Sequence, residues 1–175
     1  GSGISGVDVG TVSIRLADSG HYNMMIGATD MGTGCDTILA QIAADCLECH
    51  VDQIVVSGVD TDSSPYDSGS YASSTTYITG MAAIQACGQL REKIVKKGAE
   101  MLGADSEQTD FDGAFVYVLG EEERRVSLAD ISTRRMCGNN MALEASAAHS
   151  SPKSPPPFMC GMAEVEVDLA TGQIE

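Results

Sequence analysis

The chain has 175 residues, 43% of them apolar, with a formal net charge of −15 and a pI near 4.3, which is enough apolar material for one sizeable core in one or two domains. Nucleic acid and anionic membrane surfaces are poor partners for it, because both demand clustered Lys and Arg. There is no run of about 18 apolar residues and no basic, apolar, signal-like start, so a cytoplasmic setting is expected.

Gly1 to Gly6, GSGISG, spells G-x-G-x-x-G with no strand before it, and so reads as a flexible lead-in rather than a phosphate cradle. Val7 to Ala17 alternates, with Val12, Ile14 and Leu16 on one side, and predicts a strand. Asp18-Ser19-Gly20 is a turn, and Tyr22 to Ala28 returns as a second strand to make a hairpin. Thr29 to Thr37, TDMGTGCDT, is a polar glycine loop that opens a helix, since Ile38, Leu39, Ile42, Ala43 and Cys46 follow at helical spacing; Asp36 or Thr33 is its expected cap.

Val51 to Ser57 predicts a buried strand, which delivers the chain into a second polar loop, Asp60 to Gly80, with three acids, a proline, two glycines and many hydroxyls. That loop opens a long helix to Leu102, patterned by Ile78, Met81, Ile84, Cys87, Leu90, Ile94 and Met101; Arg91, Lys93, Lys96 and Lys97 read as its solvated face. Residues 104–112 read as a linker, Ala114 to Leu119 as a strand, Gly120 to Glu123 as an acidic turn, and Ser127 as the cap of a short helix through Arg135. Gly138-Asn139-Asn140 ends that helix, Ala142 to Ala148 predicts a strand, and Ser150 to Pro157 a proline-rich surface loop. Met162 to Leu169 alternates strongly and predicts a strand, with Ala170-Thr171-Gly172 turning it into a hairpin whose return has barely begun at Glu175. A hairpin interrupted there suggests a piece of a longer protein.

Six cysteines, at Cys35, Cys46, Cys49, Cys87, Cys137 and Cys160, sit mostly in apolar surroundings and read as reduced, buried thiols. Cys46-Leu47-Glu48-Cys49-His50 matches the C-x-x-C-H of covalent haem attachment, but at the end of an amphipathic helix it reads as incidental; His21 and His149 supply no second ligand pair at zinc spacing.

The chemistry lies in the two loops. Each joins a strand or loop to a helix with glycines and hydroxyls, so their amides are placed to converge on oxygen-rich ligand atoms. Against a freely exchanging anion, no Lys or Arg lies between Arg15 and Arg91, while Asp30, Asp36, Asp60, Asp62 and Asp67 flank the loops and are expected to serve loop structure. Asp60-x-Asp62-x-Ser64 begins like a calcium loop, but Pro65 replaces the turn glycine and Tyr71 the bidentate glutamate. No G-x-S-x-G or H-E-x-x-H motif occurs, and Glu164, Glu166 and Asp168 read as a solvated strand face. The residues by themselves favour binding over catalysis.

Three segments in order, TDMGTGCDTILAQIAAD, VVSGVDTDSSPYDSGSYASSTTYITGMAAIQACGQLREKI and PPPFMCGMAEVEVDLATGQIE, resemble the molybdenum-cofactor-binding part of the xanthine dehydrogenase and aldehyde oxidase family. The resemblance implies a molybdenum hydroxylase that inserts a water-derived oxygen into a purine-like heterocycle or an aldehyde. It implies a molybdopterin-type cofactor shared with the remainder of the same subunit, and iron–sulfur clusters and FAD on other domains or subunits. By the same resemblance, Gly32, Thr33 and Gly34, with Thr37 at the helix start, match the loop that contacts the pterin. Gly69, Ser70, Tyr71, Ala72, Ser73 and Thr75 match the loop whose backbone approaches the molybdenum centre. Two positions depart from the family pattern: Thr33 stands where glutamine is usual and Ser74 where arginine is frequent, and both bear on substrate class. The family's catalytic glutamate is expected downstream of Glu175 and its substrate-orienting residues upstream of Gly1, so the chain is not expected to catalyse alone. The expected fold is α+β, a mixed sheet with two principal helices packed on it, in a single partial domain over residues 1–175. The rival is a non-catalytic calcium- or partner-binding module.

Overall fold

The computed structural model describes residue 4 and residues 6–134, 142–156 and 160–174. In chain order its elements are β1 (Gly10–Leu16), β2 (Tyr22–Ile26), α1 (Cys35–Cys46), β3 (Ile54–Ser57), α2 (Thr75–Leu102), β4 (Thr109–Phe111), β5 (Phe115–Val118), β6 (Glu121–Ser127), α3 (Leu128–Arg134) and β7 (Glu144–His149). They form a mixed four-stranded sheet in the order β3-β2-β1-β7 and an antiparallel three-stranded sheet, β4-β5-β6. The α+β expectation holds, and so does the β1–β2 hairpin, with Ile14 opposite Met24.

Alternation sets the faces of the larger sheet. Val12, Ile14, Leu16, Tyr22, Met24 and Ile26 are buried against the helices, leaving Ser13, Arg15, Asn23 and Met25 on the opposite face. Helix α1 offers Leu39, Ala43 and Ala44 to this core, and α2 offers Ala82, Ala83, Ala86, Leu90 and Ile94. Complete burial of Leu90 and Ile94 contributes roughly 2 kcal/mol apiece. The alanines and glycines of α2 bring its backbone close to its neighbours: a Cβ on Gly98 would lie 2.5 Å from Val116 Cβ of β5. Beyond Leu102 the helix stops on Gly103, whose φ of 60° lets Ala104 donate to the Ala99 carbonyl.

Several expectations change. Residues 104–112 are not a linker: a 3-10 turn at Ser106–Gln108 leads into β4, where Thr109 and Phe111 are buried. Residues 121–123 are not a turn but the start of β6, an edge strand whose run of charge, Glu-Glu-Glu-Arg-Arg, hides its periodicity. The Val51–Ser57 strand begins only at Ile54, after a 3-10 turn over Val51–Gln53. Met162 to Leu169 forms no strand within a sheet; the single bridge there is Val167 to Ile174, because a ladder needs a partner that alternation alone does not provide. Arg91 is no solvated lysine-like group. Its guanidinium donates to Glu48 Oε1 (3.1 Å), Asp110 Oδ1 (2.9 Å) and the Phe111 carbonyl (2.8 Å), fixing α2 to β4 and to the end of α1. Ser127 caps α3 as expected, its hydroxyl accepting from the Asp130 amide at 3.1 Å. The Gly138-Asn139-Asn140 turn, Cys137 and Pro157 lie outside the described residues.

Candidate functional site

β2 and β3 lie side by side and parallel, linked through α1, so the segments leaving their carboxyl ends emerge next to one another. In open α/β units that edge is where ligands settle. The first segment runs from Gly27 to Gly34 and the second from Gly58 to Ser74. They touch: a Cβ on Gly27 would meet Asp67 Cβ at 2.7 Å, and one on Gly58 would stand 3.8 Å from the Asp36 carboxylate. The contact lies at the roots of the loops; the predicted residues Gly32, Thr33, Gly34 and Thr37 follow farther along the first segment and into α1, and Gly69 to Ser73 and Thr75 farther along the second and into α2.

Each loop is closed by an aspartate two residues before a glycine. Asp30 Oδ1 accepts from the amides of Gly32 (2.8 Å) and Gly34 (3.1 Å), and these bonds hold its carboxyl below the usual aspartate range. Asp67 Oδ1 accepts from the Gly69 amide (2.8 Å), while its other oxygen takes the hydroxyl of buried Thr79 (3.1 Å), tying the loop to the first turns of α2. Gly32 and Gly69 have φ of 98° and 106°, which side-chain-bearing residues rarely adopt. The second loop is also sewn to the chain entering β1, with Ser68 N donating to the Val9 carbonyl and Val9 N to Ser68 Oγ, both at 2.9 Å.

Neither predicted cap operates on α1; its N-cap is Gly34 itself, which has no side chain to bond the first turn. Farther on, Ala72 and Ser73 both take positive φ, 48° and 60°, costing on the order of 1 kcal/mol each. Ser70 and Thr75 pair their hydroxyls at 2.5 Å, the Tyr71 ring packs over Gly69, and Ser74 is buried. Thr33, Thr37, Gly69, Tyr71, Ala72 and Ser73 are exposed, so the loops present an open surface of backbone and small hydroxyls.

The Asp60 carboxylate turns inward on its own backbone: Asp60 Oδ1 accepts from the Asp62 amide, and the Asp60 amide donates to Ser64 Oγ. Cys35, which sequence reasoning did not single out for this site, approaches Asp30 and Asp36, one donor atom of each lying within 4.8 Å of the others. Its thiol donates to Asp36 Oδ1 (3.6 Å), and burial together with the Asp36 charge pushes it up to about 11, so it is a neutral donor here. At the other end of α1, Cys46 and Cys49 are half-buried thiols raised by burial, and His50 caps the following turn by accepting from the Asp52 amide. The Asp-x-Gly spacing shared by Asp30–Gly32 and Asp67–Gly69 was the available signal for the clasps.

A sequence profile described as the molybdopterin cofactor-binding domain matches residues 1–175. The chain belongs to that family. The molybdopterin cofactor-binding domain is 35% identical over 174 residues to the probable hypoxanthine oxidase XdhD of Escherichia coli (strain K12), covering 99% of this chain and 18% of that protein. It is 31% identical to the xanthine dehydrogenase molybdenum-binding subunit of Escherichia coli O157:H7, covering 94% and 22%. With the nicotine 6-hydroxylase large subunit of Paenarthrobacter nicotinovorans it shares 30%, covering 94% and 21%. Among solved structures it is similar to reconstituted CO dehydrogenase from Oligotropha carboxidovorans, with a TM-score of 0.74 and 25% identity over 82% of this chain and 18% of that one. Quinoline 2-oxidoreductase from Pseudomonas putida 86 gives 0.70 and 25% over 82% and 19%. The domain therefore spans 18% to 22% of the length of these curated relatives.

The loops of the domain suit a pterin-type group. A Cβ on Gly32 or Gly34 would meet nothing within 4 Å, so bare backbone faces open space there, and the hydroxyls beside it both donate and accept. They suit a neutral heteroaromatic edge better than a phosphate, since Asp30 already uses the glycine amides and no cation adjoins them in sequence.

Proposed function

We propose that the domain supplies one wall of the cofactor site of a cytoplasmic molybdenum hydroxylase of the xanthine dehydrogenase type, acting on a purine-like heterocycle or an aldehyde. The wall consists of Gly32, Thr33, Gly34 and Thr37 in one loop and of Gly69, Ser70, Tyr71, Ala72, Ser73 and Thr75 in the other. The observation that carries this reading is the meeting of both loops at the carboxyl ends of parallel β2 and β3. When bound, the molybdenum cofactor supplies two-electron oxidation of the substrate with water as the oxygen source. The residues of this domain bind and orient: the exposed loop backbone and the Ser70–Thr75 hydroxyl pair hold polar edges, and the Tyr71 ring covers Gly69. None of them is placed as a general acid or base. The rest of the subunit completes the site, and iron–sulfur and FAD components on other domains or subunits take the electrons. The single-domain reading over residues 1–175 belongs to the same proposal and accords with one core that gathers Val12, Leu90, Phe111 and Ile131.

Metal and phosphorus analysis of the full-length protein tests the proposal: molybdenum with organic phosphate is expected, and calcium alone would favour a cation-binding module instead. Two variants sharpen it. Gly32→Ala places a side chain at φ 98° in the loop, and Gly103→Ala does so at φ 60° in the cap of α2, far from it in the chain. Strain of roughly 1–3 kcal/mol at the loop is expected to lower molybdenum occupancy on the order of tenfold for Gly32→Ala, with Gly103→Ala unchanged. Equal occupancy in the two would remove the first loop from the site.

A further inference from the structure

We propose that Thr79 is a positioning residue of the cofactor site: its hydroxyl orients Asp67, and Asp67 in turn sets the second loop. Thr79 lies in the second turn of α2 and is 1% exposed. A threonine inside a helix commonly returns its hydroxyl to a carbonyl three or four residues back. Thr133 of α3 does so, donating to the Ala129 carbonyl at 2.8 Å. Thr79 instead donates outside its own helix, to Asp67 Oδ2 at 3.1 Å.

That bond closes a circuit. Asp67 is followed by Ser68, which is bonded twice to Val9, and Val9 is followed by Gly10, where a Cβ would fall 2.5 Å from Thr79 Oγ1. Gly10 thus leaves the room in which the threonine sits.

Among the described residues no Lys or Arg pairs with the Asp67 carboxylate, so its charge is held by the Thr79 hydroxyl on one oxygen and the Gly69 amide (2.8 Å) on the other. Without the hydroxyl, Oδ2 keeps no protein donor among those residues, and the carboxylate is free to swing off the Gly69 amide toward water. The same aspartate stands at both segments: it fixes Gly69 at φ 106° in the second, and its Cβ backs Gly27, where the first begins. The bearing of Thr79 on the cofactor rests on the two-loop wall proposed above; its hold on the loop does not.

Hydrogen exchange and metal analysis on the full-length protein test this with two variants. Thr79→Val keeps the shape and removes the O–H, and Thr79→Ser keeps the O–H and removes the methyl. In Thr79→Val the amides of Ser68 and Gly69 are expected to exchange roughly tenfold faster than in the unmodified protein, with those around Leu90 in α2 unchanged. Molybdenum is expected to leave this variant on the order of tenfold faster during dialysis. Thr79→Ser is expected to restore both. Unchanged exchange of Ser68 and Gly69 in Thr79→Val overturns the proposal. Equal loosening in Thr79→Ser overturns it too, by making the methyl and not the hydroxyl the part that holds the loop. A loosened loop that keeps its molybdenum as firmly as before overturns the link to the cofactor. An unmodified protein without molybdenum sinks the cofactor reading instead, and the exchange of Ser68 and Gly69 still decides whether Thr79 sets the loop.

Discussion

Asp30 has its carboxylate stabilised by two glycine amides, and the sign of the resulting pH effect can be worked out. Its folded-state pKa is depressed, so the clasp is fully made above the ordinary aspartate value of 3.8 and is lost only as pH falls through the lower folded value. The amide proton shifts of Gly32 and Gly34 are therefore expected to stay constant down to that ordinary value and move below it; movement centred above it would show that the carboxylate does not hold the loop. Tyr22 presents the opposite case. Its hydroxyl is buried without a hydrogen-bond partner among the described residues, and desolvation raises its pKa. Tyr22→Phe removes an unsatisfied group while filling the same space, so a gain on the order of 1 kcal/mol in urea unfolding is expected, and a loss of that size would reveal a partner for the hydroxyl. The thiols sort by burial: Cys87, pushed up to about 12, and Cys35 are expected to resist alkylation at neutral pH until unfolding, while exposed Cys160 reacts at once.

Among the elements, the long helix α2 is the most constrained. Its Gly98 gives way to Val116, and Gly98→Ala tests which of two effects wins there. Helix propensity favours alanine by about 1 kcal/mol, but overpacking costs about 1–3 kcal/mol where a Cβ would fall 2.5 Å from Val116 Cβ. Net destabilisation in urea is expected; a more stable variant would mean that β5 can retreat freely. The same elements show what a sequence discloses. The β1–β2 hairpin, α1 and α2 were legible because burial writes a period of two or of three to four into the chain. β6 was not, since an edge strand carrying five successive charged residues has no apolar face to write. β4 was too short to show a period. Residues 162–169 wrote the period plainly and formed no ladder, because alternation records a face to be covered and not the presence of a cover. At the site, the loop positions were legible from Gly, Ser and Thr before helical spacing. The clasps by Asp30 and Asp67 and the approach of Cys35 depend on side-chain direction, which spacing does not fix.

For the molecule as a whole, α2 packs on β1 and β7 of one sheet and on β4, β5 and β6 of the other. Neither sheet keeps its core without it, so a single unfolding transition, coincident by circular dichroism and tyrosine fluorescence, is expected. Separated transitions would divide the chain into two units.

The Asp-x-Gly clasps carry a consequence for the order of assembly. A loop that is already closed on its own carboxylate has surrendered most of its conformational freedom during folding, before any ligand arrives. Association then leaves little further disorder to suppress in these segments, and the wall proposed for the cofactor is a finished shape before any guest is delivered.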